Sequence, residues 1–190
     1  MNFEQAPPWR CTRCGMTHEG LPLSYAIANP AAWEALPPED RARRGYLDEE
    51  LCVIKGVGQF IRGRVLLPLH GGPVPLFEWC VWVSLSEANF RRALDLWTTP
   101  GREAEPPYFG WFSCILPGYP STLNLKCMVH TSPLGQRPSI ELEPTDHPLA
   151  VEQRDGITTA RLQEFAELEL HHRHHPHHQE APPSPAESSS

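Results

Sequence analysis

Apolar and polar positions alternate most clearly between Phe77 and Leu85. Successive side chains of a strand point to opposite faces. That places Phe77, Trp79, Val81, Val83 and Leu85 on one face and Glu78, Cys80, Trp82 and Ser84 on the other. The first face is wholly apolar and the second carries Cys80 and Trp82, so the strand is expected mid-sheet with both faces covered. Ser86 then offers a hydroxyl to the free N–H groups of a following helix, and Glu87 complements its first turn. Phe90, Leu94 and Trp97 recur at helical spacing until Pro100-Gly101; this stripe is expected to pack back on the sheet.

Gln59 to Leu67 also alternates, with Phe60, Arg62, Arg64 and Leu66 opposite Ile61, Gly63, Val65 and Leu67. Leu51–Ile54 precedes it across a turn at residues 55–58, and Pro68 with Gly71-Gly72-Pro73 is expected to close it. Connections this short permit only antiparallel neighbours, so the three runs read as a meander. Arg62 and Arg64 share a face, either open to solvent or bridged to a glutamate on the next strand. A bidentate site for a carboxylate or phosphate is the alternative. Downstream, Pro106-Pro107 fixes an aromatic segment through Phe112 that either caps the core or walls a pocket. Thr122 to Thr131 and Ser139 to Glu143 alternate again and form a second hairpin. Short helices are expected at Ala31–Leu36, Glu39–Arg44 and Leu149–Arg154, and a last amphipathic helix runs from Thr158 to about Leu170. The predicted fold is α+β: one domain over residues 1–170, a mostly antiparallel sheet of about five strands with a few packed helices and an N-terminal zinc-knuckle-like segment over residues 9–24.

Composition narrows the function classes. A chain of 190 residues suits one domain with one sizeable core. A formal net charge of −7 argues against a partner with a phosphate backbone, so nucleic acid is not expected. No apolar run reaches the length of a membrane span. The acidic start, without an apolar leader, points to a cytoplasmic protein. In that compartment the six cysteines read as metal ligands or buried thiols rather than a disulfide framework. Residues 171–190 change character, to a His-rich run followed by Pro, Ser and Glu. Such a composition buries too little apolar surface to fold, so a disordered tail is expected. Its histidines are either loose chelators of Ni, Zn or Cu or an incidental end.

The sharpest chemical motif precedes the first clear strand. Cys11 and Cys14 are separated by two residues, Gly15 follows, and His18 lies four residues beyond Cys14. This spacing lets two thiolates reach one ion while the glycine relieves the tight turn, and a neutral imidazole extends the donor set. Zinc in a structural role is the expected ion. The competing reading is a pair of reduced, unligated cysteines in a loop. A redox pair fits less well, because no βαβ pattern surrounds it.

The run Cys11-x-x-Cys14-Gly15-x-x-His18-x-Gly20-Leu21-Pro22-Leu23 combines with Leu51-Cys52-Val53-Ile54, Phe60-Ile61-Arg62-Gly63, Val81-Trp82-Val83-Ser84-Leu85-Ser86, Pro106-Pro107-Tyr108-Phe109-Gly110-Trp111 and His147-Pro148-Leu149-Ala150-Val151-Glu152-Gln153. In combination these motifs resemble a bacterial family of uncharacterised proteins, domain of unknown function family 2199, from roughly Trp9 to Leu170. Where the family pattern resembles Trp-Gly-Val-Trp, this chain has Trp79-Cys80-Val81-Trp82, which speaks against a shared catalytic role for Cys80. The resemblance implies one shared fold and no particular activity. It also makes Cys52 the candidate fourth metal ligand, because Cys52 lies in a matching motif; a buried strand thiol is the competing reading.

No nucleophile elbow, phosphate loop, zincin helix or dinucleotide fingerprint occurs in the chain. The expected function is therefore a non-catalytic, metal-stabilised binding or interaction domain; the sequence identifies no particular partner, and a protein is the candidate. The alternative is an enzyme of unknown substrate, using either the ion or a cysteine with His130 or His147 as base.

Overall fold

The strand Leu76–Leu85 lies against Gly58–His70 over nearly its whole length, from Gln59 opposite Leu85 to Pro68 opposite Leu76. These two strands frame the computed structural model, which describes residues 8–172. In chain order the elements are β1 (Trp9–Arg10), β2 (Thr17–His18), β3 (Ser24–Ala26), α1 (Ala31–Glu34), α2 (Pro38–Arg44), β4 (Gly45–Leu47), β5 (Leu51–Ile54), β6 (Gly58–His70), β7 (Leu76–Leu85), α3 (Glu87–Asp95), a single 3-10 turn at Arg102–Ala104, β8 (Tyr108–Phe112), β9 (Lys126–His130), β10 (Ser139–Leu142), α4 (Pro148–Asp155), β11 (Ile157–Thr158) and α5 (Thr159–His172). The fold is mixed α and β, as expected. Of the tail expected over residues 171–190, His171 and His172 instead continue α5, and residues 173–190 lie outside the described residues.

The simple antiparallel sheet of about five strands needs correction. Five strands, β6-β7-β8-β9-β10, close into a barrel, because β10 returns beside β6 in parallel with Ser139 opposite Arg64. Further strands attach outside the closure: β5 and β4 continue from the first end of β6, β3 pairs with β7 in parallel, and β11 pairs with the far end of β6. Long strands make this arrangement possible. Each of β6 and β7 runs past the barrel seam and takes different partners along its length. Short connections enforce antiparallel pairs only between consecutive strands; β3, β10 and β11 reach their partners from far along the chain.

Two further expectations change for local reasons. Pro68 does not end β6. Arg64 N–H donates to Pro138 while Leu69 N–H donates to Pro75, so alternate positions aim their N–H groups to opposite sides. Pro68 falls on the side of β10 and β11, in the gap between them, where no ladder bond is lost. The aromatic segment at Tyr108–Phe112 is a strand, not a capping loop. Tyr108, Gly110 and Phe112 turn inward, and Phe109 and Trp111 outward.

The inner faces alternate as predicted. Phe77, Trp79, Val81, Val83 and Leu85 meet Ile61, Val65, Leu67 and Leu69 in one buried core. Gly63, also on the inner face of β6, leaves room for Ile140: a Cβ there would lie 2.5 Å from Ile140 Cδ1. On the outer face Trp82 joins Cys52, Ile54 and Phe60 in a second cluster, roofed by Ala32, Trp33 and Leu36. Arg62 lies over the Trp82 ring at 4.9 Å and donates to the Ile27 carbonyl, and Arg64 bridges to Glu78 of the neighbouring strand at 3.5 Å. The bridging reading of the arginine pair therefore holds for Arg64.

Ser86 caps α3 by accepting from Asn89 N–H at 3.2 Å. Phe90 is buried beneath it, whereas Leu94 stays 39 % exposed and drops out of the expected stripe. At the other end of the core, Leu162, Phe165 and Ala166 of α5 are buried. The Phe165 ring stacks on Phe77 at 5.6 Å and meets Trp79 edge-on at 5.2 Å. Arg161 pairs with Glu152 of α4 at 2.9 Å and lies over Phe165 at 4.5 Å. Tyr119 donates to the same Glu152. These contacts fix the direction in which α5 leaves the barrel. No described helix is long and apolar enough to cross a membrane.

Replacing Gly63 by Ala pushes a methyl into Ile140 and is expected to cost about 1–3 kcal/mol of unfolding free energy. Adding Ile140→Val to that variant should recover part of the loss in urea titrations, a non-additivity that distant, independent sites do not show.

Candidate metal centre

The centre is built on the two-stranded hairpin of β1 and β2. Trp9 stands opposite His18 and Arg10 opposite Thr17. Between the strands the chain folds back on itself: Cys11 N–H donates to Met16 at 2.8 Å, and Gly15 N–H returns to the Cys11 carbonyl at 3.0 Å. Gly15 holds φ at +70°, the left-handed region that a side chain disfavours, and nothing lies within 4 Å of where its Cβ would be. The constraint on this glycine is thus conformational, as its place after the second cysteine predicts.

The turn brings the sulfurs of Cys11 and Cys14 and a ring nitrogen of His18 together, all within 4.8 Å of one another. Cys14 Sγ stands 3.5 Å from His18 Nε2. A tetrahedral zinc site with ordinary Zn–S and Zn–N bonds has a sulfur–nitrogen edge of about 3.5 Å, so this edge already has the length that an ion requires. The three side chains can hold a metal ion. Cys11 is buried, Cys14 exposed and His18 intermediate. Burial of the Cys11 thiol opposes its ionisation, but the backbone N–H groups of Cys14 and Arg13, with the Cys14 side chain, outweigh it, and the thiol titrates below its ordinary range. N–H groups aimed at a sulfur favour its thiolate, the form a metal binds.

The other thiols are placed differently. Cys52, the candidate fourth ligand, is not brought to this cluster. It faces Phe60 across the β5–β6 ladder, fully buried against Ile54 and Trp82. A strand whose inner and outer faces both bury apolar side chains has a place for a small thiol in its packing, and that accounts for Cys52. Burial pushes Cys52, Cys114 and Cys127 up to about 12, and burial with the Glu78 carboxylate also raises Cys80. None of these four has the low-lying thiolate that a nucleophile needs. Of the candidate bases, His130 contacts Glu141 at 2.7 Å on the paired strand, and His147 caps α4 by accepting from Leu149 N–H at 3.2 Å. All six cysteines are free thiols.

A family model described as "Uncharacterized protein conserved in bacteria (DUF2199)" matches residues 10–157. The chain belongs to this family. No curated protein and no solved structure matches it. The DUF2199 span takes in the three donors and the complete barrel, and it ends before α5.

Helix α5 nonetheless holds the hairpin in place. Glu167, buried, accepts from Thr12 N–H at 2.7 Å and from the Thr12 hydroxyl at 2.6 Å. Gln163 donates to the Arg10 carbonyl at 2.9 Å and to Glu167 at 3.0 Å. Burial works against the Glu167 carboxylate, yet these donors prevail and hold it below the ordinary carboxylate range. Trp9, Cys11 and Ala166 share a small buried cluster with Leu21 and Leu170 at its margin, and Trp9 Nε1 donates to Gly20 at 2.9 Å. Sequence reading by motif missed Gln163 and Glu167. The available signal was their four-residue spacing, which puts both on one stripe of the helix together with His171.

Beside the centre lies a cleft of about 320 Å³, walled by Trp9, His18, Tyr25 and Leu170, with Glu19 and Glu169 at its polar side. His18 is therefore shared between the donor cluster and the cleft.

Glu167→Ala removes a buried carboxylate that accepts two bonds from Thr12 and one from Gln163, and should cost about 1–3 kcal/mol. Amide exchange should quicken across the hairpin and remain slow in the barrel strands β6 and β7.

Proposed function

We propose that this DUF2199 chain is a non-catalytic, zinc-stabilised binding domain of the cytoplasm, with the cleft beside the hairpin as its binding surface. The observation that carries the reading is the convergence of two thiolates and an imidazole on a hairpin too short to fold alone. A two-stranded ribbon is marginal in water without further support, and an ion held by Cys11, Cys14 and His18 supplies it. Thiolate and imidazole together suit zinc among the available divalent ions. The large barrel core stands independently, so the ion acts as a local clamp instead of the determinant of folding. Six free thiols fit a reducing compartment. The acidic balance, 23 Asp and Glu against 16 Lys and Arg, fits a protein or small-molecule partner better than a nucleic acid.

A metal-dependent enzyme is the second reading, favoured by the position of His18 on the wall of the cleft. With three protein donors, an ion keeps one position for a water that it would activate, and the cleft would admit a substrate to it. The cysteine-dependent version is less well supported, because burial raises the thiols of the barrel.

Elemental analysis of untagged full-length protein and of Cys14→Ser separates the clamp from the His-rich segment, since both proteins carry that segment. The wild type should hold one zinc per chain more than the variant. Equal zinc contents would remove the proposed site. Adding a hydroxamate to the cobalt-substituted protein distinguishes the two readings: an enzyme with an open position shifts its absorption bands, and a closed clamp does not.

A further inference from the structure

His171 stands at the last turn of α5, and its Nε2 lies 3.3 Å from Cys11 Sγ, although 160 positions separate the two residues. This contact has the same chemistry and nearly the same length as the pair on the opposite side of the cluster, Cys14 with His18 at 3.5 Å. Both are close to the sulfur–nitrogen edge of a tetrahedron around zinc, about 3.5 Å. His171 also belongs to the stripe of α5 that already grips the hairpin, four residues beyond Glu167 and eight beyond Gln163. Its backbone is thus placed by contacts that owe nothing to a metal.

We infer that His171 is the fourth ligand of the metal centre, completing a two-cysteine, two-histidine site with Cys11, Cys14 and His18. The inference rests on the reading of that cluster as a metal site. His171 meets the cluster at Cys11, the contact from which its imidazole would join an ion held by the three donors. Two consequences follow. The site has four protein donors and no position for water, which makes it a structural centre. The ion also ties the N-terminal hairpin to the end of α5, an element beyond the DUF2199 span, so it clasps both ends of the described chain in place of bracing one turn. Cys52 is not needed in the donor set.

The test is cobalt(II) substitution of the full-length protein. Histidines elsewhere bind cobalt without thiolate, so sulfur-to-cobalt charge transfer reports on this centre alone. The wild type should show that band together with the intense ligand-field bands of a tetrahedral ion. His171→Ala should keep the charge transfer, lose ligand-field intensity as water enters, and bind cobalt about 10-fold more weakly or worse, since even the outer partners of metal ligands are worth that much. His171→Cys should raise the charge-transfer intensity by about half, as a third thiolate joins two. Wild-type affinity and spectrum in His171→Ala, or wild-type charge transfer in His171→Cys, would overturn the assignment of His171. A wild type without any thiolate charge transfer would instead overturn the metal centre itself.

Discussion

Everything in this molecule hangs from the ladder between β6 and β7. Its register sets Ile61 against Val83, Gly63 against Val81, Val65 against Trp79 and Leu67 against Phe77. A slip of one position would turn over the faces of one strand relative to the other. The inner face would then receive either Arg62 and Arg64 of β6 or Glu78 and Trp82 of β7. Burial of a large apolar side chain is worth roughly 1.5–3 kcal/mol, so turning out the four or five inner residues of one strand forfeits an amount comparable with the whole stability of an ordinary domain. Both strands also outrun the barrel, and their overhanging ends are where β3, β5 and β11 attach.

Helix α5 carries this rigidity outward. Phe165 is locked between Phe77, Trp79 and Tyr119, so the helix leaves the barrel in one direction only. Within the next two turns the same helix presents first Glu167 to Thr12 and then His171 to Cys11. The hairpin has little buried surface of its own, and its position is inherited from the core through one helix. A donor cluster placed this way combines a locally determined turn with a globally determined support, which is the arrangement a well-ordered site requires.

The cysteines divide by environment. Four sit on or behind barrel strands where burial disfavours the thiolate, and they behave as small apolar side chains. Cys11 is equally buried, but backbone N–H groups surround its sulfur and reverse the balance. Buried thiols of the same residue type thus serve packing in one place and are available as donors in another. The difference lies in how many donors each sulfur faces.

What the amino-acid sequence determined by itself was local. The alternation through Phe77–Leu85, the Ser86 cap, the glycine after Cys14 and the spacing of Cys11, Cys14 and His18 all depend on residues within a turn or a strand of one another, and each appears where the pattern put it. The tertiary structure decided which distant segments meet. Closure of β10 on β6, conversion of the Tyr108 segment into a strand, the burial of Cys52 away from the donors, and the approach of Glu167 and His171 to the hairpin span large separations in the chain. Periodicity reports which face of an element is apolar and is silent on which other element covers it. That choice belongs to the packing of the whole core, and here it is the core that delivers the last helix to the donor cluster.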